Sequence, residues 1–268
     1  MYLLFDIGGT ATKMATSSDG KKIEQKIIFP TPKKFTAAIK IIHQKTQALA
    51  GDKKIIKAAG GIAGVFNKNK TTLFCSPNLP DWNNKPLLKN LQNIFKAPVI
   101  IENDAAVAGL GEATYGAGKN KRIVAYLTVS TGVGGARIVN QKIDQKTFGF
   151  EPGHQFINLP KDLESEISGR SLSKRLGYSP ELIKDKKIWR QINSNLAYGL
   201  HNLTVFWSPD IIVLGGGISQ DKNIDLNFIK NQLKKTLLRF PQVPEIKKTK
   251  FGDLAGIYGA KCLLKRLG

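Results

Sequence analysis

The chain alternates between short apolar runs and longer segments whose apolar residues recur every three or four positions. The first apolar run, Tyr2 to Ile7, stops at Gly8-Gly9, and a second strand is predicted directly after these glycines. Phe35, Ala38 and Ile42 have the spacing of one buried helix face. The elements predicted for the first 115 residues are strands over 2–7, 11–17, 22–29, 54–59 and 98–101 and helices over 33–50, 84–95 and 104–115.

The opening pattern of strand, glycine turn and strand occurs again in the second half of the chain. A strand predicted over 122–129 is followed by the turn Thr131 to Gly135 and by a second strand over 136–140. The remaining predicted elements are helices over 163–176, 187–206, 224–240 and 253–267 and a strand over 210–214. Alternating strands and helices predict an α/β fold, and the repeated opening predicts two related lobes.

The composition is that of a globular protein with one unusual property, its charge. Among 268 residues, 41 Lys and Arg stand against 20 Asp and Glu, which gives a formal net charge of +21. Only seven of these cations are Arg, and the lysines are spread along the chain without a run of five. A nucleic-acid module usually concentrates its charge and uses the planar fork of Arg. We therefore interpret the charge as a Lys-rich solvated surface and expect no specific nucleic-acid partner.

Three further classes of protein are disfavoured by simple observations. The apolar runs are far shorter than the ~20 residues that cross a bilayer, so we expect no membrane partner. The N-terminus has no basic segment and reaches Asp6 at once, which is unlike a secretory signal. Cys75 and Cys262 are isolated and cannot build a Cys-rich zinc site. A cytoplasmic protein with reduced cysteines is expected.

Three glycine-rich turns directly follow predicted strands, at 8–9, 132–135 and 215–217. Glycine at such a place lets backbone N–H groups approach an anion closely, and ligands of open α/β proteins bind beyond the carboxyl ends of strands. One Gly-Gly turn is more often a plain tight turn, but three at strand ends favour the phosphates of a nucleotide. The turns match neither the Walker loop nor the dinucleotide fingerprint.

These turns and the segments between them resemble the ROK family (repressor, open reading frame, kinase) of actin-like sugar kinases. Asp6 to Thr10 with Lys13 resembles the first phosphate motif of the family, and Glu102-Asn103-Asp104-Ala105 with Gly111-Glu112 resembles its catalytic segment. Thr131 to Gly135 resembles the second phosphate motif, and Glu151-Pro152-Gly153-His154 resembles the sugar-binding motif. Pro209 to Gly217 resembles the adenosine-side motif. The resemblance runs in order from residue 2 to about residue 264.

The resemblance implies a two-lobed actin-like ATPase or sugar kinase fold, with ribonuclease-H-like lobes and a cleft between them. The division that follows is an N-terminal α/β lobe of residues 1–115, joined by the C-terminal helix 253–268, and a C-terminal α/β lobe of residues 116–252. The implied reaction is phosphoryl transfer from ATP with Mg²⁺ to a hydroxyl of glucose or a related hexose. The family is often dimeric, so a homodimer is expected.

Two alternatives stay open. Polyphosphate glucokinases share the Asp-x-Gly-Gly motif, and a basic surface suits a long polyanion, so polyphosphate is the second candidate donor. A sugar-sensing regulator from the same family is the least favoured interpretation, because the chain begins at the first phosphate strand without a helix-turn-helix.

The resemblance also assigns roles to individual residues. On spacing alone, an acid before an Ala-rich helix favours an N-cap, but the resemblance makes Asp104 the general base that accepts the hydroxyl proton. The implied sugar-binding residues are Gly64, Asn78, Asn103, Glu151, His154 and Glu164. The implied donor-binding residues are Asp6, Gly8, Gly9, Thr10, Lys13, Thr131, Gly132, Gly134, Gly215, Gly216 and Gly217. Asp6 is also the candidate for Mg²⁺ held through the phosphates, whereas we interpret Asp253 as the N-cap of the last helix.

One departure from the family pattern affects the sugar side. Most ROK sugar kinases carry a zinc-binding segment with three cysteines after the sugar-binding motif, but residues 155–162 contain no cysteine. We therefore expect no structural zinc and expect Phe156, Ile157 and Leu159 to hold this loop by packing. Smaller departures are Ala63, where the family usually has Pro, and Ala106, where it often has Asn. The sequence leaves the sugar itself open.

Overall fold

The first half of the chain forms a mixed five-stranded sheet and a separate hairpin. The computed structural model describes residues 1–265. The strands of this half are β1 (Tyr2–Ile7), β2 (Ala11–Ser17), β3 (Lys26–Pro30), β4 (Lys57–Ile62), β5 (Val65–Phe66), β6 (Leu73–Cys75) and β7 (Val99–Asn103). Their order in the sheet is β3-β2-β1-β4-β7, and β5 pairs with β6. The pairs β1–β2 and β2–β3 are antiparallel, whereas β1–β4 and β4–β7 are parallel.

Helices cover this sheet with the apolar faces that the sequence predicts. They are α1 (Phe35–Ala50), α2 (Leu87–Phe95) and α3 (Asp104–Tyr115). Helix α1 buries Phe35, Ala38 and Ile42, and it packs in one apolar core with α2 and the sheet. The indole of Trp82 is fully buried in the same core and meets the ring of Phe35 edge to face, with centroids 5.6 Å apart. This core fixes the positions of the strand ends that carry the candidate site.

The second half repeats the sheet. Its strands are β8 (Ile123–Val129), β9 (Val133–Val139), β10 (Lys142–Ile143), β11 (Phe156–Asn158), β12 (Lys161–Asp162), β13 (Ile211–Gly215) and β14 (Glu245–Lys248). The order β10-β9-β8-β13-β14 has the same sequence of two antiparallel and two parallel pairs. The helices are α4 (Leu163–Ile167), α5 (Gly169–Leu176), α6 (Lys186–Trp207), α7 (Gly217–Gln220), α8 (Leu226–Thr236) and α9 (Ala255–Leu264). The predicted α/β fold with two related lobes is confirmed.

Helices α3 and α9 cross between the two sheets and join them. Their apolar residues form one core with residues of both sheets, among them Leu4 of β1 and Val213 of β13. The crossing is very close, because a Cβ added to Gly259 would lie 1.7 Å from the carbonyl oxygen of Val107. This close contact fixes the position of α3, the helix that begins at Asp104.

Several predicted bounds differ from the structure for identifiable reasons. Strand β4 begins three residues later than predicted and uses Ala58 to Gly61, small residues that are poor strand formers in sequence statistics. The helix predicted over 163–176 is two helices, because Ser168 is extended and caps the second one. The hairpin β5–β6 and strand β14 were not predicted. The predicted end of the last helix at residue 267 lies outside the described residues.

Two predictions about organisation have different outcomes. The division into 1–115 with 253–268 and 116–252 stays a prediction, although each five-stranded sheet takes its strands from one of these parts. Within residues 1–265, every helix is too short or too polar to cross a bilayer.

Candidate active site

Three adjoining cavities form the candidate cleft: the first two lie between the halves of the molecule, and the third is lined by the second half. The first, which we call the carboxylate cavity, has a volume of about 210 Å³, and its lining includes Asn78, Asn103, Asp104, Glu151, His154 and Glu164. The second, the glycine cavity, has about 170 Å³, and its lining includes Asp6, Gly8, Lys13, Asp104, Gly216 and Gly217. The third, the open cavity, has about 600 Å³, and its lining includes Thr131, Arg170, Glu181, Trp189, Gly217 and Asp221. Asp104 lines both smaller cavities.

Asp104 stands where strand β7 ends and helix α3 begins. The capping position belongs to Asn103, whose Oδ1 accepts a hydrogen bond from the Ala106 backbone N–H at 3.0 Å. The Asp104 carboxylate accepts one hydrogen bond, from the Ala105 backbone N–H at 2.8 Å. Desolvation by the surrounding protein raises the pKa of Asp104 to about 6, and the nearby Glu151 contributes in the same direction. The Asp104 carboxylate is therefore mostly ionised at neutral pH and poised to accept a proton.

Asp6 and Lys13 form an ion pair across the first two strands. They are opposite each other in the β1–β2 register, with Nζ and Oδ2 3.7 Å apart. Desolvation raises the pKa of Asp6 to about 7; Lys13 opposes this rise, and the carboxylates of Asp104 and Asp253 add to it. Such mutual effects show that three carboxylates share one part of the cleft. A cation bound there would relieve their repulsion.

Asp253 is not the N-cap of the last helix, contrary to the prediction. It lies in a 3₁₀ turn, Gly252–Leu254, and the capping position of α9 belongs to Leu254. Gly252 has a positive φ of 51° at the start of this turn, and α9 begins at Ala255, two residues later than predicted. This turn places Asp253 in the lining of the glycine cavity together with Asp6.

The second half of the chain brings two carboxylates and an imidazole to the carboxylate cavity. Glu164 is the second residue of α4, and its Oε2 accepts a hydrogen bond from the Val133 backbone N–H at 2.7 Å. Desolvation raises the pKa of Glu151, with opposition from His154 and support from Glu164. The Asp162 carboxylate, 2.9 Å from Nδ1 of His154, raises the pKa of that imidazole. Carboxylate and imidazole groups on one wall are suited to a ligand with several hydroxyls.

A short hairpin, β11–β12, occupies the place of the cysteine-rich segment. Phe156 and Leu159 are 59% and 76% exposed, so the prediction that they hold this loop by packing is wrong. Ile157 does pack against the core of the second half, and the contact between His154 and Asp162 spans the hairpin. In residues 1–265, groups of three or more His, Cys, Asp or Glu able to hold a metal are absent.

The turn that carries His154 packs closely on the second sheet. A Cβ added to Gly153 would lie 2.3 Å from the carbonyl oxygen of Val133, and one added to Gly135 would lie 2.7 Å from the Pro152 ring. Only residues without a side chain fit at these two contacts. The spacing Glu151-Pro152-Gly153-His154 is therefore also a packing requirement of this turn against β9.

The glycine turns are placed differently from one another. The glycine cavity is lined by Gly8 of the first turn, by Lys13 of β2 and by Gly216 of the third turn. Gly132 and Gly134 of the second turn line the carboxylate cavity. Gly217 lines both the glycine cavity and the open cavity. Gly216 has a φ of 85°, which a residue with a side chain adopts only under strain. Gly64 lines the carboxylate cavity and Thr131 the open one. Three predicted donor-binding residues lie beside these linings, namely Gly9 against Asn78, Thr10 paired with Thr31, and Gly215 against Tyr126.

Some residues in the cleft were not predicted from the sequence. Arg170, Glu181, Trp189 and Asp221 line the open cavity, and Arg170 also lines the carboxylate cavity. Trp189 lies on an amphipathic helix, where an aromatic residue is normally interpreted as core. Arg170 offered one signal that was not used: it is one of seven arginines in a chain whose cations are mostly Lys.

Glu112 fastens the two segments that connect the sheets. Its carboxylate is fully buried and accepts hydrogen bonds from the backbone N–H groups of Ala117 at 2.8 Å, Lys250 at 3.1 Å and Phe251 at 2.9 Å. The Thr249 hydroxyl donates a further bond to it. One side chain near the end of α3 thus holds both places where the chain passes from one half to the other.

Comparison with known proteins identifies the family. The model of the ROK family matches residues 2–267. The glucokinase of Streptomyces coelicolor is 26% identical over 305 aligned positions, which cover 97% of this chain and 96% of that enzyme. The chain thus resembles a curated kinase along almost its full length.

Solved structures show the same fold. The ROK family glucokinase from Streptomyces griseus in complex with glucose and AMPPNP superposes with a TM-score of 0.83 at 22% identity, covering 99% of both chains. The inorganic polyphosphate/ATP-glucomannokinase from Arthrobacter superposes with a TM-score of 0.74 at 23% identity, covering 100% of this chain and 99% of the other. The expected two-lobed actin-like fold is confirmed, and this chain belongs to the ROK family and is similar to its sugar kinases.

Proposed function

We propose that this protein is an ATP-dependent sugar kinase, which transfers the γ-phosphoryl group of ATP to a hydroxyl of glucose or a related hexose. The observation that carries this proposal is the position of Asp104. One carboxylate lines both the cavity rich in hydrogen-bonding groups and the cavity formed by the glycine turns. A general base for phosphoryl transfer has to meet both the acceptor hydroxyl and the end of the phosphate chain.

In this proposal Asp104 accepts the proton of the attacking hydroxyl. A base with a pKa of about 6 is mostly ionised at neutral pH and still holds a proton well enough to assist its transfer. Helix α3 keeps the carboxylate in place, because Asn103 caps the helix and frees Asp104 from that role. Catalysis then depends on holding the hydroxyl and the phosphate in line.

The sugar is proposed to bind in the carboxylate cavity. Glu151, Glu164 and His154 accept or donate hydrogen bonds from one side, and Asn103 faces them from the other. Asn103 also donates a hydrogen bond through Nδ2 to the Gly64 carbonyl at 3.2 Å, which fixes the orientation of its amide. A hexose offers a hydroxyl to each of these groups.

The phosphate chain is proposed to lie along the glycine turns, with the adenosine in the open cavity beside Trp189. Mg²⁺ would be held by Asp6, with Asp253 nearby, and it would neutralise the phosphate charge when bound. The donor set fits a magnesium ion, since a site with one or two carboxylates takes its other ligands from phosphate and water. Lys13 supplies a fixed positive charge to the same cavity.

Polyphosphate is the second candidate donor. Two cations, Lys33 and Arg170, stand at the mouth of the cleft, and the surface as a whole is rich in Lys. A long polyanion would extend past the glycine turns toward these charges. The fold is shared with an enzyme described as using both donors, the Arthrobacter glucomannokinase. Assembly as a homodimer stays a prediction from the family resemblance.

A coupled kinase assay tests the function directly. Hexoses, amino sugars and N-acetyl sugars are each offered with ATP and with polyphosphate, and Asp104→Asn serves as the inactive control. We expect turnover of at least one hexose with ATP and none with the control variant. Sugar binding measured by calorimetry without turnover of any sugar by either donor would instead make the protein a sugar-binding regulator.

A further inference from the structure

A guanidinium from the second half of the molecule crosses the mouth of the cleft. Arg170 is the second residue of α5, and its Nη2 donates a hydrogen bond to Oδ1 of Asn78 in the first half. The backbone holds this end of α5 firmly, because the Gly169 and Arg170 N–H groups donate to the carbonyls of Ser130 at 2.7 Å and Thr131 at 3.1 Å. Arg170 is thus attached to the second glycine turn and aimed across the cleft.

Lys33 reaches the same place from the first half. Its Nζ donates to the carbonyl oxygen of Gly9 at 2.7 Å and to that of Asn78 at 3.2 Å. Two cations from opposite halves therefore meet at Asn78, between the first and the second glycine turn. Arg170 alone of the two also lines both the carboxylate and the open cavity.

The negative charges of the cleft favour a cation at this position. The walls of the carboxylate and glycine cavities carry five carboxylates, on Asp6, Asp104, Glu151, Glu164 and Asp253, and Glu181 and Asp221 line the open cavity. A nucleoside triphosphate or a polyphosphate adds several negative charges, and Lys13 is already paired with Asp6. A guanidinium is the side chain best suited to bind phosphate oxygens in pairs.

We propose that Arg170 is a donor-binding residue whose guanidinium engages the terminal phosphate of the donor, and that Asn78 positions it there. The bond that Arg170 now makes is to one neutral amide oxygen, whereas a phosphate offers the planar guanidinium two oxygens together and an opposite charge. Because Asn78 also lines the carboxylate cavity, this arrangement links the acceptor side of the cleft to the donor side. The proposal rests on the proposed kinase function.

Three variants on one helix test this proposal. Arg170→Ala removes the guanidinium, Arg170→Lys keeps the charge without the fork, and Lys174→Ala is the matched control, since it removes one exposed cation from the same helix. We expect kcat/KM for the donor to fall about 100-fold in Arg170→Ala and less in Arg170→Lys. The control should stay within twofold of the parent protein.

Two readouts separate phosphate binding from a structural effect. Free guanidinium ion added at millimolar concentration should restore part of the activity of Arg170→Ala, and sugar affinity measured by calorimetry without a donor should change less than threefold. Removing Arg170 in an Asn78→Ala background should have a smaller effect than removing it from the parent, because the two side chains act together.

The outcomes that overturn the inference differ from those that overturn the kinase function. A parent protein that turns over a sugar, together with an Arg170→Ala variant that keeps its donor kcat/KM within twofold, excludes Arg170 as a donor-binding residue. If Arg170→Ala lost sugar affinity in proportion to its activity, Arg170 would instead be a residue of the sugar site. A parent protein without turnover of any sugar refutes the kinase function itself.

Discussion

The two halves of this protein share one scaffold and divide the chemistry between them. Both sheets have the same strand order and the same pattern of parallel and antiparallel pairs. A glycine turn follows the central strand of each sheet, Gly8-Gly9 after β1 and Thr131 to Gly135 after β8. The acids are placed differently: Asp6 and Asp104 stand at the ends of β1 and β7, whereas Glu151 and Glu164 come from the long connection between β10 and β13. The halves thus share the glycine turn and differ in which parts of the chain carry their acids.

The division has a physical reason. The proposed base needs a rigid support, and Asp104 stands at the start of α3, which is packed between the sheets against α9. Groups that select a ligand gain from segments that can differ in length and sequence, as the hairpin β11–β12 shows. Glu112 accepts hydrogen bonds from both segments that connect the halves and so fixes them to the end of α3.

The largest expected effect compares one acid from each half. Asp104→Asn keeps the size of the side chain and removes its basicity, so we expect kcat to fall about 10³-fold with sugar affinity nearly unchanged. Glu151→Gln weakens a hydrogen bond to the sugar, so we expect its KM for sugar to rise about tenfold with a smaller change in kcat. Steady-state kinetics with calorimetric sugar binding measure both.

The comparison between the halves depends on this separation of parameters. Near-normal turnover of Asp104→Asn would remove it as the base. If both variants lost kcat to the same degree, the proposed division between a base in the first half and sugar-binding acids in the second half would be wrong.

The glycine turns give the next effect, again with one residue from each half. A Cβ added to Gly9 would lie 2.4 Å from Cβ of Asn78, whereas one added to Gly217 would have open space around it. We expect Gly9→Ala to lower the free energy of unfolding by about 2 kcal/mol, because the loop of Asn78 has to shift. Gly217→Ala should leave stability unchanged and raise the KM for the donor, since the methyl group occupies space in two donor cavities.

Thermal denaturation and donor kinetics of the two variants provide the measurement. Equal stability of Gly9→Ala and Gly217→Ala would show that the first turn adapts as freely as the third. An unchanged donor KM in Gly217→Ala would place the phosphates away from the third turn.

The sequence predicts the scaffold better than the contacts across the cleft. The repeated strand, glycine turn and strand could be found because apolar periodicity and glycine are local signals, and Asp104 could be found because it stands within a motif. The position of Arg170 in the cleft could not be found, since it depends on a contact with Asn78, 92 positions away in the chain. Asp253 was misinterpreted as a cap because the positive φ of Gly252 is invisible in the sequence.

The pH dependence of the reaction tests whether the Asp104 carboxyl of the first half is desolvated. Because the pKa of Asp104 is raised to about 6, the ionised base is lost as the pH falls through that value. At saturating donor and Mg²⁺, which keep Asp6 ionised in spite of its raised pKa of about 7, we expect kcat/KM for the sugar to level off above about pH 7 and to fall tenfold per pH unit well below 6. A fall that begins only near pH 4 would show that Asp104 is solvated in the active protein.

The smallest expected effect concerns the hairpin that replaces the cysteine-rich segment in the second half. Ile157 packs against the core, so Ile157→Ala should lower the free energy of unfolding by about 1 kcal/mol. Leu159 is 76% exposed, so Leu159→Ala should change it by less than about 0.5 kcal/mol. Urea denaturation of the two variants measures the difference. Equal losses would mean that Leu159 also packs against the core. An apolar cluster, rather than Ile157 with the contact of His154 and Asp162, would then stabilise the hairpin.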